Sequence, residues 1–392
     1  MATATEIANL LGEACAAWSL DAAEVAARAG IAESEVADAL RGEADVSDLD
    51  AVARALGGSL DDLLAGRPFW TAPAVALKSA PSGVELSLLR ATLLRLSSAA
   101  RDRAWLAGLL GRPTTSAVAS VSFAPTPVSA DVPGQAEQLA GEVRRHIGNE
   151  LEPIASVRAV LRRLGVASFL SDFATDAIDG LLWRDAGGVA CAAANVRARR
   201  GKPTAMRMSF AHELCHLLFD GTKLEPLGVV EKRTELGESR EQRANAFAAY
   251  FLVPRVALQT FLDERGLAPG SGPTSVHLRA VSAHFAMGVE AVALHFVNCG
   301  YWNRQDLLRY ARVATPDSRG PDTTELYAVD ATSIVPLERR GEVLELATLA
   351  LERNEITAAR WRELLGLGAH DDWRRVAQEG EVSLDVEHRA IL

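Results

Sequence analysis

The sequence predicts an α+β protein in which a small sheet lies beside a central helix, with helical segments before and after this core. Three observations indicate this class. Apolar residues recur at three-to-four spacing through most of the 392 residues, as in packed helices. Short apolar runs bounded by glycine lie between residues 166 and 195, as in strands. Two stretches rich in Pro, Ser and Thr, Pro113–Gly134 and Thr315–Thr324, indicate linkers that divide the chain.

The first 66 residues predict a domain of short helices that break at Gly30, Gly42 and Gly57. Apolar residues recur every three or four positions between these glycines, as expected for helices that share one core. A glycine turn just before Ile31 separates two helices, which is typical of a helix-turn-helix. The stretch resembles the XRE-type DNA-binding domain, and this resemblance implies a part in transcription regulation.

The charge of this domain argues against ordinary DNA binding. Residues 1–66 contain thirteen acidic and three basic residues, which accounts for the net charge of −10 of the whole chain. The expected recognition helix, Glu33–Arg41, carries three carboxylates and one arginine. Because DNA affinity depends largely on basic side chains that neutralise phosphates, this acidic helix would repel a duplex. Docking of a protein is therefore favoured. The alternatives are DNA binding by a dimer whose basic elements lie elsewhere, and a degenerate helical cap.

The segments that follow are expected to be helical up to the sheet. Leu86–Leu110 predicts a helix with a possible break at Ser97 and Ser98, and its broad apolar face indicates core packing. After the first linker, Gln135–Gly148 and Pro153–Leu164 predict two amphipathic helices.

Three strands are expected next. Val166–Leu170 is a short apolar run after a glycine, which indicates a strand. Gly180–Arg184 and Val189–Asn195 are two further runs, separated by a turn that contains two glycines. This spacing predicts a β-hairpin.

The segment Phe210–Asp220 reads FAHELCHLLFD and contains an H-E-x-x-H motif formed by His212, Glu213 and His216. On a helix, residues four apart lie on one face, about 6 Å apart along the axis. Two imidazoles so placed can occupy adjacent corners of a Zn²⁺ tetrahedron. Glu213 is close enough to take a proton from a metal-bound water without being a ligand.

The residues just before this motif are expected to be irregular. Ser209 is a natural N-cap for a helix that begins at Phe210. The preceding segment, Arg197–Arg207, carries five basic residues and therefore predicts a solvated loop. The functional alternative is that these charges attract an acidic segment of a substrate or the acidic N-terminal domain.

A third metal ligand is offered by residues 238–254, which predict an alanine-rich helix that ends before Pro254. Glu241 leads the apolar face of this helix, Asn245 follows one turn later, and Glu238 is the reserve candidate. Two histidines and one glutamate leave one position open on the metal. Such a set indicates a catalytic zinc site rather than a structural one.

Two motifs together resemble a known family. They are Arg207–His216, which reads RMSFAHELCH, and Glu241–Pro254, which reads EQRANAFAAYFLVP. From about residue 136 to residue 302 the chain resembles the ImmA/IrrE family of metallopeptidases. The resemblance implies a zincin-like fold, Glu241 as the third metal ligand, and cleavage of a partner repressor that switches on its genes. Cys215 departs from the pattern, since glycine or a small residue is commoner there.

Two helical pairs are expected after the motifs. Val276–Trp302 predicts two short helices that bend at Met287 and Gly288, a second helix-turn-helix-like pattern. Leu337–Leu367 predicts two helices around a turn, with Thr357 as the N-cap of the second.

These elements divide the chain into five parts. We expect an acidic XRE-like domain at 1–66, a helical connector at 67–112, a linker at 113–134, a metallopeptidase domain with a helix-turn-helix-like end at 135–313, and a small helical accessory domain at 325–392.

The sequence thus predicts a zinc-dependent endopeptidase, with Mn²⁺ as another suitable divalent metal. Its expected substrate is a helix-turn-helix repressor or related regulator in a stress or mobile-element response. One alternative is an XRE-type DNA-binding regulator whose ImmA-like domain senses a ligand or signal. A further alternative is an antitoxin-like docking module with a vestigial active site. A homodimer is also compatible with the sequence.

The expected location is the cytoplasm. No window approaches eighteen consecutive apolar residues, so no membrane span is predicted. The N-terminus lacks the basic region of a secretory signal. The four cysteines are scattered without C-x-x-C spacing, which suits a reducing compartment.

Overall fold

The computed structural model describes residues 1–18, 20–66, 76–77, 83–112, 123–176, 178–184, 188–198, 202–220, 229–232, 239–267, 274–303, 305, 334–367 and 376. Within these residues the fold is mixed α+β, as predicted. One sheet is covered by helices on both faces, and a helical unit precedes this core. The second linker expected at 315–324 lies outside the described residues.

The first 66 residues form a helical unit with its own apolar core. Its helices are α1 (Ala4–Trp18), α2 (Ala22–Ala29), α3 (Glu33–Arg41), α4 (Val46–Ala55) and α5 (Leu60–Leu64). Asp21 and Asp45 cap α2 and α4, because each carboxylate accepts a hydrogen bond from a backbone N–H of the first turn. Gly30 and Gly42 end α2 and α3 in the left-handed conformation, with φ of 70° and 75°. The predicted breaks at these glycines are therefore confirmed.

The helices before the sheet differ from the prediction mainly at their ends. They are α6 (Gly83–Leu109), α7 (Val132–His146) and α8 (Val157–Arg163). α6 continues through Ser97 and Ser98 without a break. α7 begins earlier than expected because Asp131 caps it, accepting from the N–H of Gly134 at 3.0 Å. α8 begins later than expected because Ser156 caps it.

The sheet has the strand order β1-β5-β3-β4-β2. Its strands are β1 (Ala76–Leu77), β2 (Ala167–Ser171), β3 (Ile178–Arg184), β4 (Ala190–Asn195) and β5 (Val229–Lys232). β3 and β4 are antiparallel neighbours, as the predicted hairpin requires, with Leu182 opposite Ala192. β2 pairs in parallel with β4, β5 is antiparallel to β3, and β1 is parallel to β5.

Both faces of the sheet are buried along β2, β3 and β4, which explains why most positions of these strands are apolar. Leu182, Ala192 and Ala194 belong to a core shared with α7, α9 (Pro203–Phe219) and α10 (Ser239–Leu252). Trp183 and Cys191, on the opposite face, belong to a second core shared with α6 and the C-terminal helices.

The remaining helices comprise the two predicted pairs and one helix at residues 255–264 that is not predicted from the sequence. They are α11 (Arg255–Glu264), α12 (Ser275–Phe285), α13 (Val289–Asn298), α14 (Glu342–Glu352) and α15 (Ala358–Leu364), with a 3₁₀ turn at Leu337–Arg339. α12 and α13 meet at 106° across the expected bend. Thr357 caps α15 by accepting from the N–H of Arg360 at 3.2 Å, as predicted.

Ion pairs join the C-terminal helices to the rest of the chain. Arg103 of α6 contacts Glu342 of α14 at 2.7 Å, with both side chains largely buried. The N-terminal unit is joined to α15 by Arg54 and Glu363, whose charged atoms lie 2.6 Å apart. α6, α14 and α15 therefore form one layer on the second face of the sheet.

Among the described residues, no single helix is long and apolar enough to cross a lipid bilayer. Within this described part of the chain, only α12 and α13 taken together reach that length and composition, and they are sharply bent relative to each other.

Candidate metal centre

The helix that carries the H-E-x-x-H motif begins earlier than the sequence indicated. α9 starts at Pro203, with Lys202 as its N-cap. Proline suits this first position, because it lacks the N–H that a helix start leaves without an intrahelical partner. Ser209 therefore lies inside the helix, where its hydroxyl contacts the carbonyl of Ala205 at 3.4 Å. The prediction that Ser209 caps a helix beginning at Phe210 is wrong.

The two histidines lie on one face of α9, as the four-residue spacing requires. Their Nε2 atoms are 3.0 Å apart. His216 is almost fully buried, while His212 retains 13% of its side-chain exposure. The pair is therefore open to solvent on the His212 side.

Glu241 reaches the same point from the first turn of α10. Its Oε2 atom lies 3.3 Å from Nε2 of His212 and 3.7 Å from Nε2 of His216. α9 and α10 pack against each other in the apolar core, with Phe219 and Phe247 in edge-to-face contact. This packing fixes the distance between the glutamate and the two imidazoles.

The separations of the three donors match those of ligands around one metal ion. Zinc binds imidazole nitrogen and carboxylate oxygen at about 2.0–2.1 Å, so tetrahedral ligand atoms lie about 3.3 Å apart. The three donor atoms of His212, His216 and Glu241 all lie within 4.8 Å of one another. A divalent ion fits between them, and three protein donors leave a fourth corner for water or a substrate.

The far side of each imidazole is held by an oxygen acceptor. Nδ1 of His212 lies 3.1 Å from Oδ1 of Asn245, and Nδ1 of His216 contacts Oδ2 of Asp220. Since both acceptors are oxygens, each Nδ1 carries the proton and each Nε2 presents a lone pair. Two nitrogen lone pairs and the carboxylate of Glu241 therefore converge, and a cation is the group that such a set attracts.

Asp220 is itself held by a buried arginine. Its other carboxylate oxygen pairs with Arg243 of α10, and the two side chains are 4% and 1% exposed. Arg243 also donates to the carbonyl of Thr126, in the segment before α7. The orientation of His216 thus depends on a chain of contacts that links α9, α10 and the segment before α7.

Glu213 is buried beneath the sheet, with 2% of its surface exposed. Its carboxylate lies against Gly180 of β3: a Cβ atom placed on Gly180 would be 2.3 Å from Oε1 of Glu213. The carboxylate therefore occupies the space that a side chain at position 180 would need.

The basic segment before the motif is not the continuous solvated loop that was expected. Arg207 lies within α9, is fully buried, and donates to the carbonyls of Ile154 and Ala155. Arg197 pairs with Asp172 at 2.7 Å, in an exposed contact. Arg207 therefore joins α9 to the segment before α8 rather than facing a substrate.

The structure brings together three residues that the sequence singled out, namely His212, His216 and Glu241. Glu213 follows His212 in α9, with its carboxylate against Gly180. The reserve ligand, Glu238, lies outside the described residues. Sequence reasoning missed the parts of Asp220, Arg243 and Gly180. Asp220 follows His216 by four residues, a spacing that could have indicated the contact, whereas the other two depend on packing between elements.

Comparison with known families agrees with this geometry. Residues 164–294 match the model of the peptidase M78 family, described as the IrrE N-terminal-like domain. This match points to a metallopeptidase, and the cluster of two histidines and a glutamate indicates a divalent metal as its cofactor. The match does not include residues 1–66. No curated protein and no solved structure matched the chain.

Proposed function

We propose that this chain is a zinc-dependent endopeptidase, with Mn²⁺ as the alternative ion. His212, His216 and Glu241 hold the metal and Glu213 is the general base. The observation that carries the proposal is the convergence of the three donors within 4.8 Å, with a carboxylate on the residue next to His212. The family match over residues 164–294 supports the same class of reaction.

Each residue of the site has a distinct part in peptide hydrolysis. A bound divalent metal supplies Lewis acidity, which polarises a peptide carbonyl and lowers the pKa of water. Glu213 accepts the proton of the attacking water and returns it to the leaving nitrogen. Asn245 and Asp220 hold the two imidazoles in the tautomer that binds metal through Nε2.

The proposed substrate is a helix-turn-helix repressor or related regulator that docks on the N-terminal unit. The charge of that unit supports this class of substrate, since residues 1–66 contain thirteen acidic and three basic residues. A repressor presents a basic surface to DNA, and an acidic unit is complementary to such a surface. Cleavage would then remove the repressor in a stress or mobile-element response.

A second candidate is a DNA-binding regulator of the XRE type whose metallopeptidase-like domain senses a ligand. Two consecutive short helices, α2 and α3, joined at the left-handed Gly30, favour it. The acidic residues of α3 oppose it. Salt-dependent binding of the full-length chain to its own promoter DNA would support this candidate over repressor docking.

The test is hydrolysis of a proteome-derived peptide library, with new N-termini detected by mass spectrometry. The zinc-loaded wild type is compared with Glu213→Gln, which keeps the shape of the side chain but cannot act as a base. We expect metal-dependent cleavage by the wild type and a loss of about 10²–10⁴-fold in the variant, with metal content unchanged. Equal cleavage by both proteins would contradict the part assigned to Glu213.

A further inference from the structure

Gly180 is a buried glycine whose backbone conformation does not require glycine. It lies within β3, and its φ is not positive. What distinguishes the position is space: a Cβ there would lie 2.3 Å from Oε1 and 3.1 Å from Cδ of Glu213. Ordinary van der Waals contacts of a Cβ atom begin at about 3.4 Å. An added methyl group therefore cannot coexist with the present position of the carboxylate.

The strand is irregular at this point. Ile178 pairs with Lys232 and Leu181 pairs with Val230, so β3 contains one more residue than β5 over the same span. Such a bulge bends the strand and redirects its side chains. As a result Ile178, Leu181 and Trp183 all pack in the second core, while Gly180 and Leu182 face α9.

A buried asparagine fixes the chain just before the bulge. Nδ2 of Asn195 donates to the carbonyls of Ile178 and Thr175, at 2.6 and 2.7 Å. Its Oδ1 accepts from the backbone N–H groups of Phe173 and Arg197. Asn195 is fully buried, so these contacts are shielded from water. The strand at Gly180 therefore has little freedom to retreat from a larger side chain.

We propose that Gly180 is a positioning residue for Glu213. Next to α9 the bulged strand has no side chain at position 180. Because Gly180 has no Cβ atom, the carboxylate of Glu213 can occupy the place from which it reaches the attacking water. The inference rests on the proposed function for the part played by Glu213, but the geometric relation between the two residues does not depend on activity.

The first experiment tests that geometry by crystallography of the wild type and of Gly180→Ala, without reference to turnover. In the wild type we expect the carboxylate of Glu213 against Gly180. In the variant we expect the carboxylate to move by about 1 Å or more, since the methyl group requires an ordinary contact distance. A carboxylate that keeps its place in Gly180→Ala would overturn the proposal.

The second experiment measures kcat, KM and metal content with a peptide that the zinc-loaded wild type cleaves. For Gly180→Ala we expect kcat to fall by about 10²-fold, because a displaced general base no longer reaches its proton. We expect KM to stay within about twofold and metal content to stay unchanged, because neither the metal donors nor the remainder of the cleft is altered. A general structural defect would instead lower metal content and raise KM.

Two further variants make the result decisive. Gly180→Ala combined with Glu213→Gln should lose no more kcat than Glu213→Gln alone, since both changes remove the same function. Losses that multiply would overturn the proposal. Gly108→Ala is the matched control, because its added methyl group meets no atom within 4 Å and should leave kcat unchanged. If the wild type cleaves no peptide, the proposed function fails, and the crystal structures still decide whether Gly180 positions Glu213.

Discussion

Asn245 of α10 accepts a hydrogen bond from His212 of α9, with Oδ1 3.1 Å from Nδ1. The helix that contributes Glu241 to the site therefore also orients an imidazole on the neighbouring helix. Because Glu241 and Asn245 are four residues apart, one face of α10 supplies both a metal donor and a support for another donor. The separation of the two helices thus controls the distances among the donors and the orientation of His212 together.

This arrangement predicts the effect of Asn245→Ala on metal affinity. Without Oδ1, the imidazole of His212 loses the acceptor that fixes its tautomer and ring orientation. We expect Zn²⁺ to bind about 10–100-fold more weakly, measured by competition with a chelator of known affinity. Asn245→Asp keeps an oxygen acceptor and should remain within a few-fold of the wild type. Wild-type affinity in Asn245→Ala would show that this contact does not orient the ligand.

Arg243 is expected to be essential for stability as well as for the site. Its removal in Arg243→Gln leaves the carboxylate of Asp220 buried without its counter-charge, which costs about 3–5 kcal/mol of unfolding free energy. Urea denaturation of the metal-free proteins measures this loss. The double variant Asp220→Asn, Arg243→Gln carries neither buried charge and should recover part of it. If the losses of the two single variants simply add, the ion pair is not the cause.

His295 should make the fold less stable in mildly acidic solution. Burial lowers the pKa of His295 to about 4, because the charged ring would be removed from water, although its hydrogen bond to the carbonyl of Val253 partly opposes the shift. The unfolded chain binds a proton near the ordinary pKa of about 6.5. The stability that neutral His295 contributes is therefore fully present above pH 6.5 and is lost as the pH falls toward 4. The size of the loss is about 3 kcal/mol.

The check is urea unfolding of metal-free wild type and His295→Gln at pH 7 and pH 5. Glutamine can still donate to the carbonyl of Val253, but it does not titrate. We expect the variant to lose less stability than the wild type between the two pH values. An equal loss in both proteins would assign the acid sensitivity to other groups.

Much of the site could be predicted from local spacing. The positions of His212 and His216 follow from one helical turn, and Glu241 follows from a second helix whose limits are close to those expected. The sequence also predicts the hairpin of β3 and β4, because apolar runs of strand length flank a glycine-rich turn. These features depend on neighbours within a few residues, which is the range that sequence patterns report.

The rest depends on contacts between distant segments. Nothing near Gly180 in the sequence indicates that it faces Glu213, since that contact requires a bulge in β3 and the packing of α9 beneath it. The sequence predicts Arg207 as one of several solvated basic residues, but two backbone carbonyls from the segment before α8 hold it inside the fold. In both cases the deciding partner is remote in sequence.

The central claim is that His212, His216 and Glu241 hold a catalytic metal. Its most direct test is elemental analysis by mass spectrometry of the purified wild type beside His212→Ala. The proposal predicts about one Zn²⁺ per chain in the wild type and its loss in the variant, because two donors bind far more weakly than three. A wild type that binds no metal, even after zinc is supplied, would contradict the claim and leave the regulator as the better candidate.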